Sequence, residues 1–326
     1  MFLNKRMPAK KLLYYAALAA RRELDALEMY NLRTIKKGYE GECLYDKFFD
    51  EIGHENIYII RDVYLKIGGS VTQYDSIVIT ENRLVMNEIK NLSGDYLFDN
   101  NKWMKDSVEL TDNVYAQLSR GKGKLLKLRN ENHLNIEIEG KMIFLNDDFR
   151  LTSENDYIWD ETVLLNQMRS YFRKFREEYV GNKANNIVRI IKNQIVEDPY
   201  FKESADIFHL HRGLYCGQCG SFALTKGRFQ LSCNNCDSIE SSETHVFRAM
   251  HDYQILFPNQ PMTRTNLLYF IDHQISRTAV YGVMMKHCNA IKGEKKMIYQ
   301  LKSKDADGVL MHIKKTQRYK DKIIST

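Results

Sequence analysis

Apolar residues recur at helical spacing through Leu12, Ala16, Ala20, Leu24 and Leu27, which predicts one amphipathic helix over residues 8–34. Gly38 is expected to interrupt it, and a second helix over 40–52 follows, with Leu44, Phe48 and Phe49 on its inner face. The period then shortens to two. Three strands are predicted over 56–66, 72–80 and 83–90, with Gly68-Gly69-Ser70 at the first turn and Glu81-Asn82 at the second. A helix over 111–128 and a short strand over 141–145 complete a pattern of helix, three strands, helix and strand, the signature of an α/β domain. Residues 160–196 are again helical in pattern and carry no evident chemistry, so they read as packing and connection.

Further on, two strand-like runs at 221–225 and 228–232 meet at Lys226-Gly227. A helix over 263–273 turns Leu267, Leu268, Phe270 and Ile271 inward. Ser276 is a good N-cap for another helix to about residue 291, with Val280, Val283, Met284, Cys288 and Ile291 as its buried stripe and Gly293 as its end. Strands at 296–302 and 308–314 then form a hairpin. The expected division is an N-terminal helix (1–36), an α/β core (37–150), a helical connector (151–205), a small cysteine-bearing ribbon (206–250) and a C-terminal helix pair with a wing (251–326).

Composition changes this picture little. Hydrophobic residues make up 44% and charged residues 28%, an ordinary globular balance, and the formal net charge of +6 leans mildly towards an anionic partner. Lys5, Arg6, Lys10 and Lys11 before the apolar run at 12–20 faintly suggest a signal peptide. The run is short and carries Tyr14 and Tyr15, so it reads as part of the first helix. No stretch is long enough to span a bilayer. With six cysteines of which Cys43 and Cys288 are left over, a reducing, cytoplasmic setting without a membrane partner is expected.

The other four cysteines change the picture most. Cys216, Cys219, Cys233 and Cys236 form two C-x-x-C pairs thirteen residues apart, and two such turns can supply the four thiolates of a tetrahedral zinc site. Gly217, Gly220 and Asn234-Asn235 suit the turns. A redox motif would need only one pair, opening a helix. His209, His211 and His245 lie near enough in sequence to replace a ligand, but an all-cysteine set leaves no open position, so the zinc is expected to be structural.

Candidate catalysis lies in the strands. If Glu81-Asn82 is a two-residue hairpin turn, Asp75 opposes Glu88 and Gln73 opposes Lys90, with Glu88 and Lys90 on one face. Two carboxylates so placed repel unless a divalent cation joins them. Mg²⁺ held by carboxylates beside a lysine is suited to hydrolysing a phosphodiester. A one-residue slip would send Asp75 to the other face, and Glu-x-Lys on a strand is commonly a solvated edge.

The segment Gly38-Tyr39-Glu40-Gly41-Glu42, then Gln73-Tyr74-Asp75, then Glu88-Ile89-Lys90-Asn91 and Gly94, resembles the nuclease-related domain, NERD, grouped with the PD-(D/E)XK nucleases. The resemblance covers residues 37–150. Asn113-Val114-Tyr115-Ala116-Gln117 is similar to a later family signature, with Val114 where a proline is usual. The resemblance implies a PD-(D/E)XK-like mixed sheet with flanking helices. It also implies Asp75 and Glu88 as ligands of Mg²⁺ or Mn²⁺, Lys90 as the catalytic lysine, Glu42 as a further acid and Gln117 as a contribution from the later helix.

The C-terminal helix pair and wing resemble a winged helix-turn-helix, which implies DNA contact through Arg277, Thr278, Tyr281, Lys286, Asn289 and Lys292. The whole then reads as a Mg²⁺-dependent DNA endonuclease with a zinc ribbon and winged helix that bind the duplex. Two alternatives stay open: a non-catalytic DNA-binding or regulatory protein with a vestigial core, and an adaptor recruiting a partner such as a helicase.

Overall fold

The computed structural model describes residues 1–294 and 296–302. Helices α1 (Lys10–Ala19) and α2 (Ala26–Ile52) open the chain. They are two helices where one was expected to end near residue 34, because Asp25 and Glu28 close a reciprocal cap. Asp25 Oδ1 accepts from the Glu28 N–H at 2.8 Å, and the Asp25 N–H donates to a Glu28 carboxylate oxygen at 3.0 Å. α2 then runs through Gly38 without a break. A helical glycine costs only about 1 kcal/mol against alanine, too little to end a helix whose other face is buried. Gly41 has a packing reason: an added Cβ would lie 2.8 Å from the Cβ of Asn91.

The chain continues through β1 (Tyr58–Ile67), β2 (Ser70–Ile79), β3 (Arg83–Lys90), β4 (Gly94–Asp99), β5 (Lys102–Lys105), β6 (Val108–Glu109) and α3 (Val114–Glu131). Next come β7 (Glu137–Phe144), β8 (Phe149–Thr152), α4 (Asp156–Asp160), β9 (Thr162–Leu164), α5 (Met168–Arg173), α6 (Asn182–Gln194) and β10 (Ile195–Val196). Six strands form a mixed sheet in the order β10-β1-β2-β3-β7-β9, and β6-β5-β4-β8 form a second sheet. β1, β2 and β3 are antiparallel neighbours, whereas β7 lies parallel to β3 after the α3 crossover. Residues 160–196 do more than connect, since they supply both edge strands of the main sheet.

Alternate residues of the central strands feed two cores. Leu84 and Met86 of β3 pack with Leu118 and Leu125 of α3 and Ile187 of α6. Val85 and Ile89 pack on the opposite face with Tyr45 and Phe49 of α2 and Phe172 of α5. This sheet between helix layers buries β3 on both sides.

The second half comprises β11 (Leu224–Lys226), β12 (Gln230–Cys233), β13 (Ile239–Ser241), α7 (Ser242–Leu256), α8 (Arg264–Phe270), α9 (Arg277–His287), β14 (Cys288–Lys292) and β15 (Met297–Leu301). Ser276 caps α9 as expected, its hydroxyl accepting from the Ala279 N–H at 3.4 Å. The helix stops at His287 instead of running to 291. Residues 288–292 pair antiparallel with 297–301, and Tyr299 is buried by this arrangement. Asn289, Ile291 and Lys292 therefore stand on a strand, and Ile291 is exposed. β15 of the expected hairpin pairs with β14, while its expected partner run at 308–314 and the tail lie outside the described residues.

The described chain divides into two compact units. One holds Met1–Met7 and Thr34–Tyr200, the other Pro8–Arg33 and the chain from Phe201 onward. The apolar run of α1 is core in the second unit, where Leu12, Tyr14 and Leu18 are buried. There the Arg21 guanidinium pairs with Asp252 at 2.9 Å and lies 3.9 Å from the Phe270 ring centroid. No helix among the described residues is long and apolar enough to cross a membrane.

Candidate active site and metal centre

The register of β2 against β3 follows from the turn at Glu81-Asn82. Ile79 pairs with Leu84, Val78 with Val85, Ile77 with Met86 and Ser76 with Asn87. Continuing that register brings Asp75 opposite Glu88, but the ladder ends one step before them. Asp75 takes over from the backbone, its Oδ2 accepting the Ile89 N–H at 2.8 Å. On its other side Asp75 comes opposite Asp62 of β1, between the pairs Arg61–Ser76 and Val63–Tyr74. Asp62 has φ 45°, a left-handed conformation inside a strand that costs on the order of 1 kcal/mol. Its Oδ1 accepts from Gln73 Nε2 at 2.9 Å. The sheet thus opens on both sides of Asp75.

Lys90 Nζ is 2.7 Å from Glu88 Oε1. Asp75, Glu88, Lys90 and Gln117 line one cleft of 730 Å³, together with Arg120 and Lys124 of α3. Gln117 arrives there because Asn113 caps α3, its side chain accepting from the Ala116 N–H at 2.9 Å, so the valine at 114 leaves the helix start intact. Burial first, then the Asp75 charge, pushes the Glu88 carboxyl up to about 7. Burial pulls the Lys90 ammonium down, but the Glu88 and Asp75 carboxylates outweigh it and leave its pKa above the ordinary lysine value.

Glu42 does not line this cleft. It stands on α2, which packs on the other face of the sheet, and it is tied to Arg6 by an ion pair. Arg6 is buried and also pairs with Asp46 at 2.8 Å, as does Arg61. A further Arg6 nitrogen donates to the Asp75 carbonyl oxygen at 3.4 Å. Burial, followed by the charge of Asp75, raises the Glu42 carboxyl to about 8. Burial raises Asp62 as well, with Asp75 contributing. The group therefore resists carrying its full negative charge, a donor chemistry that suits a divalent cation between Asp75 and Glu88.

The four cysteines converge. All four Sγ atoms lie within 4.8 Å of one another, with Cys216–Cys236 at 3.6 Å and Cys219–Cys233 at 3.5 Å. The Gln218 and Asn235 N–H groups each donate to the sulfur two residues earlier, at 3.4 Å. Such a set could hold a metal ion such as zinc. Among the described residues it is the one group of three or more His, Cys, Asp or Glu ligand atoms drawn so close. Glu42, Asp75 and Glu88 accordingly do not close into a comparably compact trio. His209 and His211 are not in the cysteine group; His245 is buried and faces Glu240 at 3.4 Å.

Arg277, Thr278, Tyr281 and Lys286 are exposed on α9, and Asn289 and Lys292 on β14. Lys286 is paired with Glu243 at 2.6 Å. Arg277, Arg264 and Lys296 line a second cleft of 380 Å³, and the Arg264 guanidinium lies 4.5 Å from the Tyr281 ring centroid.

Several residues of these sites escaped the sequence reading. Nothing local marks Arg6, Asp46, Arg61 or Asp62, which meet only through tertiary contacts. Arg120, Lys124 and Lys127 carried a signal, since they follow Gln117 at helical spacing. Comparison with curated proteins and with solved structures gives no match for the chain. Residues 37–145, about a third of the chain and the part that builds the Asp75–Glu88–Lys90 cleft, match the family model of the nuclease-related domain, NERD.

Proposed function

We propose that this protein is a metal-dependent DNA endonuclease of PD-(D/E)XK type. One observation carries the reading: Asp75 and Glu88 come side by side where the strand ladder opens, with Lys90 at 2.7 Å from Glu88, inside a NERD match. Asp75 and Glu88 would hold Mg²⁺ or Mn²⁺, which supplies charge stabilisation at the phosphoryl group and a water acidic enough to attack it. Lys90 keeps its proton in this setting and can bind a phosphate oxygen or orient the water. Gln117 adds a neutral donor from α3. Glu42, held back by Arg6, acts on the site through its charge from the far side of the sheet.

In the second unit, Cys216, Cys219, Cys233 and Cys236 would hold a structural Zn²⁺ in a ribbon whose strands are β11, β12 and β13. The helix pair and β14–β15 hairpin would act as a winged helix, meeting DNA through Arg277, Thr278 and Tyr281 of α9 and through Asn289 and Lys292 of the wing.

Incubation of the purified protein with plasmid and linear DNA, with and without added Mg²⁺ or Mn²⁺, tests the reading. Omitting the ion is preferable to a chelator, which would also strip zinc. Cleavage should need the ion and fall by ~10²-fold or more in Glu88→Gln and Lys90→Ala. Cleavage that survives both substitutions sinks the nuclease reading, and a protein that binds DNA without cutting it is a regulator.

A further inference from the structure

Helix α3 presents two adjoining stripes. Val114, Leu118, Gly121, Leu125 and Leu128 are buried against the sheet. Gln117, Arg120, Lys124 and Lys127 recur three and four residues apart on the side that walls the catalytic cleft. Arg120 and Lys127 are exposed and Lys124 is half-buried. Arg120 and Lys124 form no ion pair among the described residues, and Lys127 has only the exposed i,i+4 partner Glu131 at 3.6 Å. The Lys127 side chain lies over Gly68, in the turn between β1 and β2, where a Cβ would collide with it. Gly123, between Arg120 and Lys124, also lines the cleft, and an added Cβ there would meet nothing within 4 Å. Packing does not require that glycine, and it leaves the helix backbone open to close approach.

We propose that Arg120, Lys124 and Lys127 form a phosphate-binding track that leads along α3 to Glu88 and Lys90, so that the substrate is a nucleic-acid strand gripped at several consecutive phosphates. The spacing supports a strand over a small phosphate ester. Arg120 to Lys127 spans about 10 Å of helix axis, over which a stacked strand sets about three phosphates. The ordering of the cleft gives the track its direction. Arg120 is near enough to Glu88 for its charge to act on that carboxyl, while Lys127 sits at the far end beside the Gly68-Gly69 turn. The inference rests on the nuclease reading for what happens at the Glu88 end, but it concerns binding. These three are positioning residues, distinct from the carboxylates and Lys90.

The test measures affinity of the full chain for a fluorescent twelve-nucleotide single strand and for the same sequence as a duplex, across a KCl series without added Mg²⁺. Replacing Arg120, Lys124 and Lys127 by Gln should lower the slope of log K against log [KCl] by roughly two to three, since each phosphate contact contributes ~0.7 for a single strand and ~0.9 for a duplex. The melting temperature should stay unchanged. Arg120→Lys with Lys124→Arg should restore the slope, because charge and not packing is at issue. Gly123→Leu should weaken binding without lowering the melting temperature. A slope unchanged in the triple variant overturns the track, as does a dinucleotide that competes as well as the twelve-nucleotide strand. A protein that binds with this slope and never cuts would sink the nuclease reading and keep the track. One that cuts with an unchanged slope would do the reverse.

Discussion

Asp75 has two jobs, and different substitutions separate them. Its carboxylate replaces a backbone acceptor for the Ile89 N–H, and it stands beside Glu88 as a candidate metal ligand. Asp75→Asn keeps an amide oxygen for the N–H and removes the charge. It should leave the melting temperature near that of the parent, while metal-dependent cleavage falls by ~10²-fold or more. Asp75→Ala removes both, and an unsatisfied N–H at the sheet opening should lower stability by a further ~1–3 kcal/mol. Thermal melts and cleavage rates of the two variants check this; equal melting temperatures would deny the structural job. The register of β2 against β3 was legible in the sequence because a two-residue turn fixes which residues face each other. That both flanking ladders open at Asp75 was not legible. It depends on Asp62 taking a left-handed backbone, a conformation no local pattern announces. The Arg6, Asp46 and Arg61 charges were equally silent, since Arg6 reaches Asp46 across forty residues of chain.

At the scale of elements, period-two patterning placed β1, β2 and β3 to within two or three residues at each end. The errors came where capping or pairing overrode a periodic stripe. Asp25-x-x-Glu28 starts a separate helix at Ala26 although the apolar stripe runs on through it, and its side-chain signal stood in the sequence unread. At 288–292, helical and strand spacing were both available, and pairing with 297–301 decided the outcome. Glu81 is a third case, read only as a turn residue. Its carboxylate accepts from the Gly181, Lys183 and Ala184 N–H groups at 2.8–3.2 Å, capping α6 from a hundred residues away. The Ala184 N–H first, with the other N–H groups and the Lys183 charge, holds the Glu81 carboxyl below the ordinary range. A depressed carboxylate contributes stability that is present above its unfolded value, near pH 4.3, and that is lost as pH falls through its folded value. Glu81→Gln should therefore lower the melting temperature at neutral pH, with the deficit shrinking as the pH drops below about 4. A pH series of thermal melts on the two proteins reads it directly; a deficit that stays constant into acid would assign Glu81 no charged role.

For the whole molecule, the two units are built from interleaved pieces of chain. Met1–Met7 belong with Thr34–Tyr200, whereas Pro8–Arg33 belong with the chain from Phe201 onward. Linear domain boundaries cannot express this, since helix α2 carries residues of both units. A fragment beginning at residue 34 would lose Arg6 and leave Asp46 and Glu42 without one of their cations, so the intact chain is the better object for testing independence. Zinc bound by the four cysteines would stabilise only the second unit, because all four ligands lie in it. Withdrawing zinc should therefore raise amide hydrogen exchange in β11, β12, β13 and α7, and in α1, which the buried Arg21–Asp252 pair just past its end ties to α7. Protection in β1, β2, β3 and β7 should hold. Within α2, the single 27-residue helix, protection should then fail up to about Arg33 and persist from Thr34 to Ile52. Hydrogen exchange read by mass spectrometry on the zinc-loaded and zinc-stripped protein resolves that step. Uniform loss across α2 would mean the two units unfold as one, and with it the separation of a metal bound by the four cysteines from the proposed active-site cleft would fall.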